Sequence, residues 1–469
     1  MKKTCLLPLS LLLLACRPVG TDYARPAQAL PAAFTAPGGG AALAPEWWKA
    51  LGDARLDRLV RRALERSPDL RAAEARMRQA RALQRVQEGA GGPDLALNAA
   101  VTRDRLSQNG EQLSFLPNRN MNTNFTNHQV GFDASWELDF FGRDRRLAEG
   151  ARARAEAGAE RARGASVILS AEVAREYVDL RAVQERLRVA QEALAAHAET
   201  VRLTALSARA GESAQLEVQR AEAARGAFEA TLADLRLEQR QHLATLGALT
   251  DTPLADLEPE LGAAAPLMAV PEAPAAGLPS DLLERRPDVR SAEHDLAAAS
   301  ADVAVAQAER LPRFSLLGSA GWNSTRQGNL LDQASRAWSV GPHLSLPLLN
   351  QGRLKSQVEA SAAARDAAAA GYRKAVLEAL ADVEVALARM SRAEERRLRQ
   401  EESLDHQARL LRLTERQQEA GEVSRLTVLD ARRGLLLQQD QALRARAQSL
   451  EALIALSKAL GGGWQTAPI

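Results

Sequence analysis

The chain repeats its own order of motifs about 210 residues apart, and this duplication limits its fold more than any other feature. Glu65-Arg66-Ser67-Pro68-Asp69-Leu70-Arg71 returns as Glu284-Arg285-Arg286-Pro287-Asp288-Val289-Arg290. Phe140-Phe141-Gly142-Arg143 returns as Asn350-Gln351-Gly352-Arg353, and Ala210-Gly211-Glu212 as Ala420-Gly421-Glu422. Each copy reads as a helix, two alternating segments, one very long helix, a glycine turn and a returning helix. Solenoid repeats have periods of roughly 20–50 residues, so this is not one. Two similar halves packed side by side, as in a pseudo-symmetric wall or tube, satisfy the pattern.

Two proline-free stretches follow Gly142 and Gly352, at 143–209 and 353–419. As continuous helix each would extend about 100 Å at 1.5 Å per residue. A helix of that length holds together only by coiling against neighbours. The glycine turns at Gly211 and Gly421 send the chain back through shorter helices, predicted at 213–249 and 423–460. The helices opening at Pro68 and Pro287, a favoured first-turn position for proline, supply the remaining length. Two short helices end to end thus match each long one.

Between these helices the period changes from helical to strict alternation. Leu95, Leu97, Ala99 and Val101 alternate with small or polar residues, as do Val130, Phe132, Ala134, Trp136 and Leu138. The second copy offers Phe314, Leu316, Gly318, Ala320 and Trp322, then Trp338, Val340, Pro342, Leu344 and Leu346. Segments of about ten residues suit a tilted membrane-spanning strand, apolar to lipid and polar to a lumen. A soluble sandwich has the same alternation. Pro342 argues for a broken ladder or a bulge in the last segment. The copy offset falls from 219 residues at Pro68/Pro287 to 210 at Gly142/Gly352. This places a length change in the polar loop between the first two strands, where it is tolerated best.

The resulting division is a signal peptide at 1–15, a lipid-anchored tether at 16–52, a first repeat at 53–262, a linker at 263–279, a second repeat at 280–460 and a tail at 461–469. Met1-Lys2-Lys3 and the apolar run Leu6 to Ala15 have the layout of a secretory signal. The run ends in Leu13-Leu14-Ala15-Cys16, which resembles a bacterial lipobox with Cys16 as the lipidated residue; an ordinary signal with an incidental cysteine is the other reading. Only Cys5 accompanies Cys16, so the mature chain has no intrachain disulfide. With 61 basic and 59 acidic side chains there is no basic excess to bind nucleic acid.

Catalytic signatures such as GxxxxGK[ST], HExxH and GxSxG are missing. The six histidines, His128, His197, His242, His294, His343 and His406, show no ligand spacing and read mostly as solvated helix or loop residues. No cofactor, metal or enzymatic activity is expected.

The chain resembles the TolC family of outer-membrane factors, and within it the NodT-type lipoproteins of tripartite efflux systems. The resemblance rests on Trp47-Trp48-Lys49-Ala50-Leu51-Gly52-Asp53, Pro68-Asp69-Leu70-Arg71-Ala72-Ala73, Glu137-Leu138-Asp139-Phe140-Phe141-Gly142 and Ala420-Gly421 through Val428-Leu429-Asp430-Ala431-Arg432-Arg433. It implies a mainly α-helical fold with a transmembrane β-barrel part: a long antiparallel coiled-coil tunnel plus four strands per chain, twelve in a homotrimer. Four strands alone cannot close a barrel, which gives a separate reason to oligomerise. The implied function is an outer-membrane exit duct, lipid-anchored in a Gram-negative bacterium. It would passively conduct drugs or other small molecules delivered by an inner-membrane pump through a periplasmic adaptor. Metal efflux, type I protein secretion and a non-channel coiled-coil lipoprotein scaffold are the alternatives. By the same resemblance the periplasmic constriction lies after Gly421, with Leu426 in an apolar ring, Asp430 in an acidic ring and Arg433 locking neighbouring helices. From spacing alone, Asp430 and Arg433 read rather as an ordinary surface pair, and it is the resemblance that favours the gate. The first-copy counterpart of Asp430 is Arg220, so the two turns are expected to differ.

Overall fold

The computed structural model describes residues 18–35, 42–107, 123–212 and 214–464. The predicted signal, Cys16, residues 108–122 of the first hairpin loop, Ser213 and the last five residues lie outside them. The chain divides into two compact units. One comprises Met1–Pro26, Arg78–Glu156 and Glu293–Gly371; the other comprises Ala27–Met77, Ala157–Ala292 and Tyr372–Ile469. Each unit therefore draws on both sequence copies, and neither copy is a domain.

The first unit holds the sheet: β1 (Asp94–Arg105), β2 (Asn124–Leu138), β3 (Arg313–Ser324) and β4 (Arg336–Ser345), antiparallel in the order β1-β2-β3-β4. The register unites the four alternating sets. Leu97 lies opposite Phe132, Phe132 opposite Ala320, and Ala320 opposite Trp338. Leu95, Ala134, Gly318 and Val340 form the next row. Because strand side chains alternate between faces, one face is apolar across all four strands. On the other, Asn98 donates to Asp133 at 2.6 Å and the Ser319 and Ser339 hydroxyls meet at 2.9 Å. The expected break at Pro342 does not occur: it pairs with Leu316 in an uninterrupted register. β4 is an edge strand, where a missing N–H is tolerated.

The strand-to-helix joint in this unit is tightly specified. Asp139 accepts from the backbone N–H groups of Asp144 and Arg145, capping α3 (Arg143–Arg209). Gly142 has φ +77°, and a Cβ there would lie 2.6 Å from Pro18. The buried Arg146 guanidinium donates to the carbonyls of Val19 and Gly20 and to Asp22, strapping the N-terminal segment down. The predicted tether is thus irregular but attached over the residues described.

It also ends before residue 52. In the second unit Trp47–Leu51 forms a 3-10 turn whose Trp47, Trp48 and Leu51 are buried. They pack with Leu56, Leu59, Val60 and Ala63 of α1 (Ala54–Arg66), one face of an amphipathic helix. This core also takes Val173, Tyr177 and Leu180 of α3, Leu243 and Leu246 of α4 (Gln215–Leu249), and Leu257 and Leu261 of α5 (Leu254–Leu261). Asp53 caps α1 through the Arg55 N–H and accepts from the Tyr177 hydroxyl. Burial, reinforced by Asp53, pushes the Tyr177 pKa up to about 12, so it stays a neutral donor.

The remaining helices are α2 (Pro68–Ala90), α6 (Leu282–Arg285), α7 (Pro287–Ala308), α8 (Gln351–Glu419) and α9 (Arg425–Ala459). Both long helices are unbroken, at 67 and 69 residues. Among the described residues no helix is long and apolar enough to cross a membrane.

Candidate functional site

The turns after the two long helices are built the same way. At the first, the Glu212 N–H donates to the Ser207 carbonyl (3.0 Å) and the Gly211 N–H to Ala208 (3.1 Å). At the second, Glu422 donates to Gln417 (2.9 Å) and Gly421 to Gln418 (3.0 Å). Both are Schellman motifs, which need a left-handed residue after the helix. Gly211 and Gly421 each supply it with φ +79°. Glycine adopts this conformation without the Cβ penalty.

The turns diverge where the chain re-enters a helix. Ser424 caps α9, its hydroxyl accepting from the Thr427 N–H, whereas Ala214 before α4 offers no side-chain bond. Leu426, Asp430 and Arg433 follow one stripe of α9 at i, i+4 and i+7. Leu426 is half-buried, and the 63% exposed Asp430 side chain is ion-paired with Arg433 of its own helix. On α4 the equivalent stretch carries the pair Glu217–Arg220 at 2.7 Å. Both ends are charge-paired within the chain, but an acid leads on one at the position where arginine stands on the other.

Arg433 also faces a residue that sequence reading assigned to solvent. His197 on α3 is buried, with its ring 4.4 Å from that of Phe228 on α4. Burial, then the Arg433 charge, hold its pKa below the ordinary histidine value. Val189, Ala193 and Leu436 form the adjacent small core. His197 is therefore a packing residue: a helical position exposed in a single helix becomes interior once α4 and α9 flank α3.

A second grouping was also missed. Glu176 and Asp179 of α3 meet His242 of α4, their ligand atoms all within 4.8 Å. Sequence spacing hides it because His242 stands 66 positions from Glu176. The predicted lipidation residue Cys16 lies outside the described residues.

The sheet is the other functional surface. Its apolar face is open, and among the described residues β1 and β4 each have a strand partner on one side only. An exposed apolar face with unpaired edges is stable only against lipid and other strands.

Known proteins share this construction. The profile of the family described as outer membrane efflux protein matches residues 59–251 and 278–462. The pyoverdine export outer membrane protein OpmQ of Pseudomonas putida is 34% identical over 468 residues, 98% of this chain and 97% of that protein. Outer membrane protein OprJ of Pseudomonas aeruginosa is 34% identical over 432 residues, covering 89% of this chain and 86% of its own. The solved outer-membrane channel OprN superposes with a TM-score of 0.85 at 32% identity, over 95% of this chain and 99% of that one. The open state of the Neisseria gonorrhoeae MtrE outer membrane channel gives 0.83 at 28%, over 95% and 98%. Paired long helices, a four-stranded sheet with one apolar face and family-wide similarity over both repeats lead to one assignment: this chain belongs to the outer membrane efflux protein family and is an efflux channel of the Gram-negative outer membrane.

Proposed function

We propose that the chain is the passive exit duct of a tripartite efflux system and works as a homotrimer. Three copies would join their sheets into one twelve-stranded barrel, with the polar face around Asn98, Asp133, Ser319 and Ser339 lining the lumen. The observation that carries this is the register, which aligns the apolar residues of all four strands on one face while leaving both edges free. A periplasmic coiled-coil scaffold has no use for such a sheet. Energy would come from an inner-membrane pump, reached through a periplasmic adaptor at the helix turns. Relatives named for pyoverdine export and for toluene, solvent and antibiotic efflux support small organic molecules as cargo. An outer-membrane fraction yielding a heat-labile trimer on gels is the expected result; a monomer that leaves the membrane once the lipid on Cys16 is removed would sink the reading. Cys16→Ser is expected to abolish incorporation of labelled palmitate.

The gate reading follows from the same assembly. Three Asp430 carboxylates near a common axis would attract cations and repel one another, and Arg433 would restrain them. Asp430→Ala with Arg433→Ala, measured in planar lipid bilayers, should raise conductance and weaken cation selectivity. If both stay unchanged, these residues are the surface pair that their spacing also allows, with a value of a few tenths of a kcal/mol.

A further inference from the structure

We propose that Glu176, Asp179 and His242 form a divalent metal site of the zinc class that staples α3 to α4. Glu176 and Asp179 stand one turn apart on α3, so both carboxylates leave the same face. The antiparallel α4 brings the His242 imidazole against them, Nδ1 lying 2.8 Å from Glu176 Oε2. All three ligand atoms fall within 4.8 Å of one another. Metal bonds of about 2.0–2.2 Å in tetrahedral geometry put ligand atoms about 3.4 Å apart. Small side-chain rotations therefore convert the present arrangement into a coordination shell.

Several features separate this group from an acidic patch. One donor is an imidazole nitrogen, the commonest protein ligand for transition metals. Glu176 is only 6% exposed, and Val173, Val178, Leu243 and Leu246 on the same two helices belong to the buried core. The carboxylates are also oriented from outside. Arg175, on the solvent side, donates to Glu176 Oε1 and, at 3.3 Å, to Asp179 Oδ2. That leaves Glu176 Oε2 turned inward to the imidazole, as outer partners do for metal-ligating carboxylates. Finally, the Glu451 carboxyl of α9 lies against Asp179, and Glu238 of α4, itself paired with Arg186 at 3.4 Å, adds negative charge near His242. Four carboxylates thus share two guanidinium groups, those of Arg175 and Arg186, and one imidazole. A divalent cation would offset that excess where solvent screens it poorly. One nitrogen and two oxygens, with a fourth position for water or Glu451, suit zinc. Binding would release any proton held between Glu176 and His242.

The test uses full-length protein in detergent, stripped with EDTA and titrated calorimetrically with zinc chloride. Wild type should take up one equivalent per chain and melt at a higher temperature with zinc present. Glu176→Gln combined with His242→Asn keeps hydrogen-bonding shapes and should bind at least about 10-fold more weakly, with no zinc-dependent shift. Cobalt(II) in the wild-type site should show nitrogen coordination by X-ray absorption, a readout that does not depend on any variant folding. Wild type that takes up no zinc, equal uptake by the double variant, or cobalt bound by oxygen alone would each overturn the proposal. Conductance is not measured, so the outcome is independent of the exit-duct reading.

Discussion

The sheet and the helical core use the same residue types in opposite ways. In the sheet Leu95, Leu97, Val101, Trp338, Val340 and Leu344 are between 59 and 77% exposed. Around α1, Leu56, Leu59, Val60, Leu246 and Leu450 have no exposed surface. Hydrophobic burial within the chain explains the second set and says nothing for the first. The sheet is written for an apolar solvent, while the helices carry their apolar phase with them. The chain thus crosses from one solvent to another, and the change coincides with the change of period from two to 3.6.

Truncation should separate the two regions most strongly. Leu450→Ala removes a fully buried side chain and should cost about 2–5 kcal/mol. Leu97→Ala, made on the exposed apolar face, should stay within about 0.5 kcal/mol. Thermal unfolding followed by helical circular dichroism in detergent compares them, and equal losses would break the contrast. A charge probes the sheet's two faces next. Leu97→Arg should cost about 2–4 kcal/mol on folding into lipid vesicles if it sits near the bilayer middle. Asn98→Arg, one residue on and beside Asp133, should fold almost as well as wild type. Similar penalties for both would mean that the apolar face does not meet lipid. The smallest effect sharpens the helical side. His197 has a folded pKa below its unfolded value, so the unfolded chain binds its proton more readily. Its contribution is fully present above about pH 6.5, the unfolded value, and is lost as pH falls from there through the lower folded pKa. His197→Phe should flatten this acid limb in melts taken from pH 7.5 to 5, and an unchanged slope would assign the loss to other groups.

Much of this contrast was legible in sequence because alternation and helical spacing are local. Leu95 to Val101 and Val130 to Trp136 declare a strand through neighbours two apart, whatever surrounds them. Where polar residues thin the signal, it fails: β2 starts at Asn124 and pairs with Arg105, although the clear alternation begins only at Val130. Gly211 and Gly421 were legible for a similar reason, since a left-handed helix end is a property of a few consecutive residues. What stayed hidden depends on three helices in register. His197 reads as solvated until α4 brings Phe228 beside it. The meeting of Glu176, Asp179 and His242 is hidden for the same reason.

The pairing of β2 with β3 has a consequence in time. It joins His128 to Ser324 and Leu138 to Phe314, residues 196 and 176 positions apart. A chain exported from its N-terminus can close the β1–β2 hairpin early, but the seam of the sheet waits until most of the second copy has arrived. Meanwhile β2 offers a bare edge beside exposed Leu97 and Phe132, the kind of template on which other chains add. Delivery is therefore the hazardous stage, and a partner that shields the edge of β2 would matter most in that interval, before any transport begins.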